Sequence, residues 1–524
     1  MKKVLVLLSM IATLLLVACT ETVQTNARAV VSAINPTTSS VSFKIEVRDP
    51  DTELDTREVR ITIANDDFSK EVTETINKNV TKTVTVDGLA RSTEYIITVV
   101  GTKDGADLQL YKSATAFKTL AQGDEESDPI TIVSVDQFKN MNAKKHYKLG
   151  ADLDFNNASL SPLFTSGTPF NGTFDGNGHT IKNIQLTESN DVYKSYLSIF
   201  GYASKSKIMN VNFDNITIDN DARPYTGIHY VGIVVSKVSN NDFVLDNVTI
   251  SNSEITLRHN INQSALNRNL YVGLVGGSLQ GKLSNITVVD SSLNVTQNGV
   301  NGVYSGTDMS TAGSYVGGIA GLIEQDKGVS TSKLAVIDTE INVNVNQDKK
   351  SLGTGLLYVG GIFGANRSDK NLSELVSNAV ITIDYKKHAD TEAEKLDKIY
   401  VGGIMGSLLK AQISNVYYYG AIDVTLDAKI GEIQSALIVA NTTRSASLVV
   451  AQGSINITAP ETFTNTIDVY NYLSFGAWNK AANVKLNGAT SVKFNDVAVD
   501  LAQYEVIADA SSFLTSDFVK AYLA

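Results

Sequence analysis

The sequence predicts an all-β chain, a β-sandwich followed by a β-solenoid. Three observations predict it. A glycine phrase returns five times at near-constant spacing. Runs rich in Val, Ile, Thr and Tyr, bounded by Asn, Gly and Ser, supply strand chemistry. No repeat carries an apolar 3.6-residue stripe long enough for a good helix.

The phrase begins as Tyr230-Val231-Gly232-Ile233-Val234 and Tyr271-Val272-Gly273-Leu274-Val275-Gly276. It is complete at Tyr315 to Gly321, Tyr358 to Gly364 and Tyr400 to Gly406, and its tyrosines recur at steps of 41, 44, 43 and 42 residues. A fixed period of that size marks a stacked repeat, because one unit alone cannot bury its apolar face. Such a repeat fits two solenoid coils of roughly twenty residues each, or one propeller blade of about 40–50. The solenoid is favoured. Val316 and Ile319 lie three apart, so both point inward only if the glycine pair bends the strand. No Trp-Asp or Gly-His signature recurs, and Trp478 is the single tryptophan. The glycines read as close stacking and unusual backbone angles. They are no phosphate loop, since neither Gly-Lys-Ser/Thr nor a helix follows.

In chain order, residues 1–19 read as an address. Lys2 and Lys3 precede an apolar run, Val4 to Val17, which ends in Leu16-Val17-Ala18-Cys19. The run is short for a membrane span and has the flanks of a cleaved signal. These residues resemble a bacterial lipoprotein signal peptide with its lipobox. That resemblance implies lipidation at Cys19, the sole cysteine, and a stable anchor through more than one acyl chain. With no other cysteine there is no disulfide framework. Residues 20–29 form a polar tether.

Residues 30–120 alternate in short strands, as in Val41 to Val47, Val59 to Ile63 and Thr81 to Val86, and read as a β-sandwich. Leu89 to Val99 resembles the tyrosine corner of a fibronectin type III domain, and Phe117-Lys118-Thr119 resembles that family's last strand. Phe43 stands where the family carries Trp. The acidic loop of Asp49, Asp51, Glu53 and Asp55 lacks the glycine and terminal glutamate of an EF-hand and reads as a solvated loop. Residues 121–129 are an acidic linker ending in Pro129, expected to be extended and solvated.

Residues 130–500 are the solenoid. Tyr147 to Phe155 and Phe170 to Ile184 resemble the entry coils of right-handed parallel β-helices of the pectin-lyase-like superfold. The glycine phrases resemble the GLUG repeat of bacterial surface proteins. The resemblance implies architecture rather than activity. Some 13–18 coils at about 4.8 Å would make a rod of about 60–85 Å. Residues 501–524 read as a C-terminal cap, ending in a short helix from Ser516 to Leu523.

The formal charge of −11, which grows more negative once Lys2 and Lys3 leave with the signal, argues against nucleic acid as partner. The histidines, His146, His179, His229, His259 and His388, show no His-x-x-x-His pair, so no metal site and no cofactor are expected. Asp175-Gly176-Asn177-Gly178-His179 is the most enzyme-like phrase and reads as a tight turn. Asn-x-Thr triplets at Asn215, Asn247, Asn285, Asn294 and Asn456 read as coil corners, where Asn tolerates the left-handed conformation. Tyr417, Tyr418 and Tyr419 offer rings for strand packing or for stacking on a ligand. No catalytic residue is assigned. The expectation is a lipid-anchored protein on the extracellular face of the cell membrane, binding glycan or protein ligands without catalysis. A polysaccharide lyase or glycoside hydrolase on the β-helix, and a structural spacer, are the alternatives.

Overall fold

The computed structural model describes residues 26–523 apart from 79, 188–193, 221–223, 226–227, 262–268, 299–312, 325–330, 347–355, 387–397, 428–429, 431, 443, 445, 461–469, 472–483, 499–500 and 502–504. The chain is all-β, an antiparallel unit followed by a parallel β-helix. One compact unit ends at Asp128 and the next begins at Pro129.

The first unit comprises β1 (Arg28–Pro36), β2 (Ser40–Arg48), β3 (Glu58–Ala64), β4 (Ser69–Thr75), β5 (Thr81–Asp87), β6 (Glu94–Lys103), β7 (Ala106–Lys112) and β8 (Phe117–Lys118). One antiparallel sheet runs β1-β2-β5; the other runs β4-β3-β6-β7, with β8 on β6. Alternation drives the packing: Val41, Phe43, Ile45 and Val47 point inward to meet Ile61, Ile63, Tyr95 and Ile97. Tyr95 is 1 % exposed, and its hydroxyl accepts from the Ala90 N–H at 2.9 Å, which ties the loop before β6 to the strand.

The acidic stretch after β8 is not an extended tether. The Leu120 N–H donates to the Thr37 carbonyl at 2.9 Å, Glu125 accepts from the Thr38 N–H at 2.9 Å, and Asp128 pairs with Arg91 at 2.5 Å. Its carboxylates find donors on the first unit, and those bonds outweigh mutual repulsion.

In the second unit the repeat strands pair in parallel with their counterparts one repeat later, and an antiparallel hairpin of Val484–Phe494 with Val497–Ala498 departs from that pattern near the C-terminus. Tyr230, Tyr271, Tyr315, Tyr358 and Tyr400 are successive register partners. One repeat is therefore one coil, not two. Each full coil has four strands, as in Ser314–Gly317, Ala320–Ile323, Thr331–Ile337 and Glu340–Asn346. The longest ladder runs from Ile130–Ile132 to Glu505–Ile507, with twelve rungs among the described residues. At about 4.8 Å per rung it spans roughly 50 Å, shorter than the rod expected from twenty-residue coils.

The core is a continuous column of Ile, Val and Leu from Ile132 to Val492. Its entry is filled by phenylalanines. A short helix, α1 (Val135–Lys139), N-capped by Ser134, places Phe138 edge-on against Phe155, Phe174 and Phe200.

The glycine phrase works through close approach. A Cβ on Gly364 would lie 2.6 Å from the Gly321 carbonyl oxygen and 2.6 Å from the Val316 nitrogen. Gly277, Gly321 and Gly406 meet the tyrosine strand in the same way. The column ends in Ser236 and Ala440, so its interior alone demands glycine. None of the three central phrases contains a positive φ.

Left-handed backbone sits instead at bends inside the third strands and between the third and fourth. Asn210, Asn247, Asn285, Lys333, Glu374, Asn415 and Leu448 form one such column, with φ between 51° and 60°. Asn215, Asn247 and Asn285 are thus the corners their triplets suggested. Asn294 and Asn456 are not; neither has a positive φ, and both sit at outward positions of fourth-strand ladders. A left-handed residue with a Cβ costs about 1–2 kcal/mol unless it is Gly, Asn or Asp. Leu448→Asn is therefore expected to stabilise the chain by about 1 kcal/mol, seen as a raised midpoint of thermal unfolding.

Candidate binding face

The fourth strand of each coil builds the candidate site. Its inward residues are apolar, as Leu293 and Val295 or Ile341 and Val343. The intervening outward positions carry short polar groups. Reading across the register, one column is Thr256, Asn294, Asn342, Thr382, Asp423 and Asn456. The next is Arg258, Thr296, Asn344, Asp384, Thr425 and Thr458. All of them are exposed or half-buried. The strands alternate because one face closes the core and the other meets water.

Side chains on this face brace one another along the columns. Asn342 donates to Asn294 at 2.9 Å, Asn346 to Asn298 at 3.0 Å, and Asn456 to Asp423 at 2.8 Å. An amide used once in such a ladder keeps further donor and acceptor capacity for a ligand. Acidic Glu254, Glu340, Asp384 and Asp423 share the face with basic Arg258, Lys386 and Lys493, so neither sign of charge dominates. The chemistry offered is neutral hydrogen bonding repeated at rung spacing.

The tyrosines that name the repeat are elsewhere. Tyr196, Tyr230, Tyr271, Tyr315, Tyr358 and Tyr400 stack face to face, with centroids 4.9 to 5.5 Å apart. Four of their hydroxyls are tied down. Lys237 donates to Tyr230 at 2.8 Å, Asn269 to Tyr271 at 3.0 Å, and Arg367 to Tyr315 at 2.8 Å, while Tyr400 donates to Glu432 at 3.2 Å. Burial raises these phenols, Tyr358 to about 12 and Tyr230, Tyr271 and Tyr400 further. They form a packing spine, not a stacking platform. Tyr418 is wholly buried and donates to the Ala379 carbonyl at 3.1 Å. Tyr417 and Tyr419 stack at 4.8 Å in a cluster with the C-terminal segment.

The enzyme-like phrase is a turn. Asn177 has φ 52° and Gly178 φ 81°, and Asp175 accepts from the Asn177 N–H at 2.9 Å and from Asn210 at 3.0 Å. His179 contacts Asp152 at 2.9 Å. The Thr180 N–H, and then His179, hold the Asp152 carboxyl below its usual range. These contacts tie adjacent rungs. In the acidic loop, Asp49 is 1 % exposed and accepts from the Glu53 N–H at 2.7 Å. Glu53 pairs with Lys103 at 2.8 Å, and Asp55 accepts from the Asp104 and Gly105 N–H groups. The loop is a bonded staple rather than a solvated one. Among the described residues no three His, Cys, Asp or Glu gather as metal ligands. His229 and His259 meet inside the core, at 0 % and 1 % exposure, with ring centroids 6.0 Å apart. Cys19, His388 and Trp478 lie outside the described residues.

The outward columns are not visible within any single repeat, although each strand carries their signal. Ser292 to Asn298 and Glu340 to Asn346 alternate strictly, and they superpose once the repeat is read as one rung. No family model, no curated protein and no solved structure matches this chain.

Proposed function

We propose that this chain is a lipid-anchored, non-catalytic surface protein that binds an extended ligand along the polar face of its β-helix. The observation that carries the reading is repetition. Two outward columns of Asn, Thr, Asp and Arg run in register through six coils. Catalysis needs one constellation held to about half an ångström, whereas repeated weak sites multiply into avidity. The balance of charges, with amides and hydroxyls between them, suits a neutral polyhydroxylated chain such as a glycan. A protein ligand is the other class the face accommodates.

The leader and Cys19 support the anchor, by their resemblance to a lipoprotein signal. The strand order β1-β2-β5 over β4-β3-β6-β7 and the Tyr95 corner support a fibronectin type III-like module. The tyrosine-glycine phrase supports a GLUG-like repeat. On this reading the Cys19→Ser chain leaves the membrane fraction and supplies the soluble form for binding assays on neutral glycans and matrix proteins. Deleting residues 315–357 removes one coil and joins Ser314 to Tyr358 in register. The deletion is expected to weaken binding several-fold while the β-rich circular dichroism spectrum persists. Complete loss of binding in the folded deletion chain, or turnover of a glycan, would refute the reading.

A further inference from the structure

The outward column of the third strands changes character along the β-helix. It reads Asn212, Thr249 and Thr287, and then Ala335, Val376, Tyr417 and Val450. Outward residues at a solvated sheet face are polar by default, so the switch calls for a cover. The C-terminal segment provides it. Strand Glu505–Ile507 adds the last rung, and the chain then turns back across the side of the solenoid instead of closing its end. Ala510, Leu514 and Val519, all 2 % exposed or less, pack on that stripe, flanked by Phe513, Phe518, Tyr522 and Leu523. This cluster is separate from the solenoid's own core.

Polar contacts set its register. The Asn415 side-chain carbonyl accepts from the Thr515 N–H at 3.0 Å, the Thr515 hydroxyl at 3.0 Å and the Ser516 N–H at 3.2 Å. The Ser516 hydroxyl donates to Glu374 at 2.5 Å and caps a final turn, α2 (Asp517–Lys520). Asn415 and Glu374 are themselves left-handed bend residues, so the segment reads the corners of two successive coils. The contacts join residues 100 to 142 apart in sequence.

We propose that residues 508–523 are a closing strap that shields an apolar stripe from a second copy of the chain. The strap docks by contacts independent of the core, so it closes on coils already formed. Left open, it bares Ala335, Ile337, Val376, Tyr417, Tyr419 and Val450 along one face. Flat, contiguous apolar surface of this kind associates, and the same stripe on another copy is self-complementary in chemistry and rung spacing.

The test compares the full chain, the chain ending at Ile507, and full-length Leu514→Asp with Val519→Asp. Sedimentation across a range of concentrations reports mass, and hydrogen exchange reports each rung. Both altered chains are expected to form a larger, concentration-dependent species. At low concentration they should exchange at least tenfold faster in 331–337, 372–377, 413–418 and 446–451, with 282–298 unchanged. Adding Val376→Thr and Tyr417→Thr, which copies the Thr249 and Thr287 rungs, is expected to restore the mass of the full chain. Unaltered mass, persistence of the larger species after the threonine substitutions, or global unfolding of both altered chains would each overturn the proposal, the last because the segment would then belong to the core. None of these results depends on whether a glycan binds, so the strap and the binding reading stand or fall separately.

Discussion

Gly364→Val is expected to cost about 3 kcal/mol, and the loss should appear as a lowered midpoint of thermal unfolding. The position has no room. A Cβ there meets the Gly321 carbonyl oxygen and the Val316 nitrogen, each at 2.6 Å, and both atoms belong to parallel ladders that cannot retreat without breaking hydrogen bonds. A flexible neighbour would relax; a backbone does not. The matched control is Gly167→Val, at an exposed position where the nearest atom to an added Cβ is the Thr165 hydroxyl at 3.9 Å and the change should stay within about 0.5 kcal/mol. Equal melting temperatures for the two variants would show that the glycine column is not set by close approach.

The second large effect is acid sensitivity from the buried histidines. Burial lowers both, His259 to about 4 and His229 well below its ordinary value. In the unfolded chain each titrates near 6.5. Above that pH neither state binds a proton and the stability is complete. As pH falls from about 6.5 to about 4, the unfolded chain takes up protons that the folded one refuses, and stability drops by roughly 3 kcal/mol from His259 alone. Carboxylates held below their usual range, such as Asp152 and Asp154, lose their contribution only at lower pH. The ladder itself suggests the control. His229 shares its column with Leu270 and Leu357, and His259 shares one with Val345. The double variant His229→Leu, His259→Val is therefore expected to fold and to flatten the denaturation midpoint between pH 6.5 and 4. A slope equal to that of the unaltered chain would place the acid sensitivity elsewhere.

Much of this architecture is legible in the residues, and the failures have physical causes. The recurring tyrosines and glycines announce a solenoid, because only stacking of like on like explains a repeated, space-limited phrase. The size of a coil is less visible. Strand composition does not encode perimeter: the glycine phrase folds into two short strands and the run after it into two more. Asn247 and Asn285 advertise such bends through their residue type. Lys333, Glu374 and Leu448 adopt the same backbone with no such signal, held by their neighbours in the ladder. The strap is hidden for a related reason: Val376 and Tyr417 read as ordinary strand residues until the register shows that they point outward. The candidate face is marked by strict alternation within each strand, but its extent is opaque, since columns emerge only when each rung is aligned with the next.

One repeat makes one rung, so that equivalent residues of successive repeats lie side by side. Pulsed electron resonance between spin labels at Thr296→Cys and Thr458→Cys, in a chain where Cys19 is replaced, measures this directly. The two positions are four rungs apart through Asn344, Asp384 and Thr425. The account predicts a backbone separation of about 19 Å, lengthened only by the label arms. A separation near 38 Å, as two coils per repeat would give at the same spacing, would contradict it.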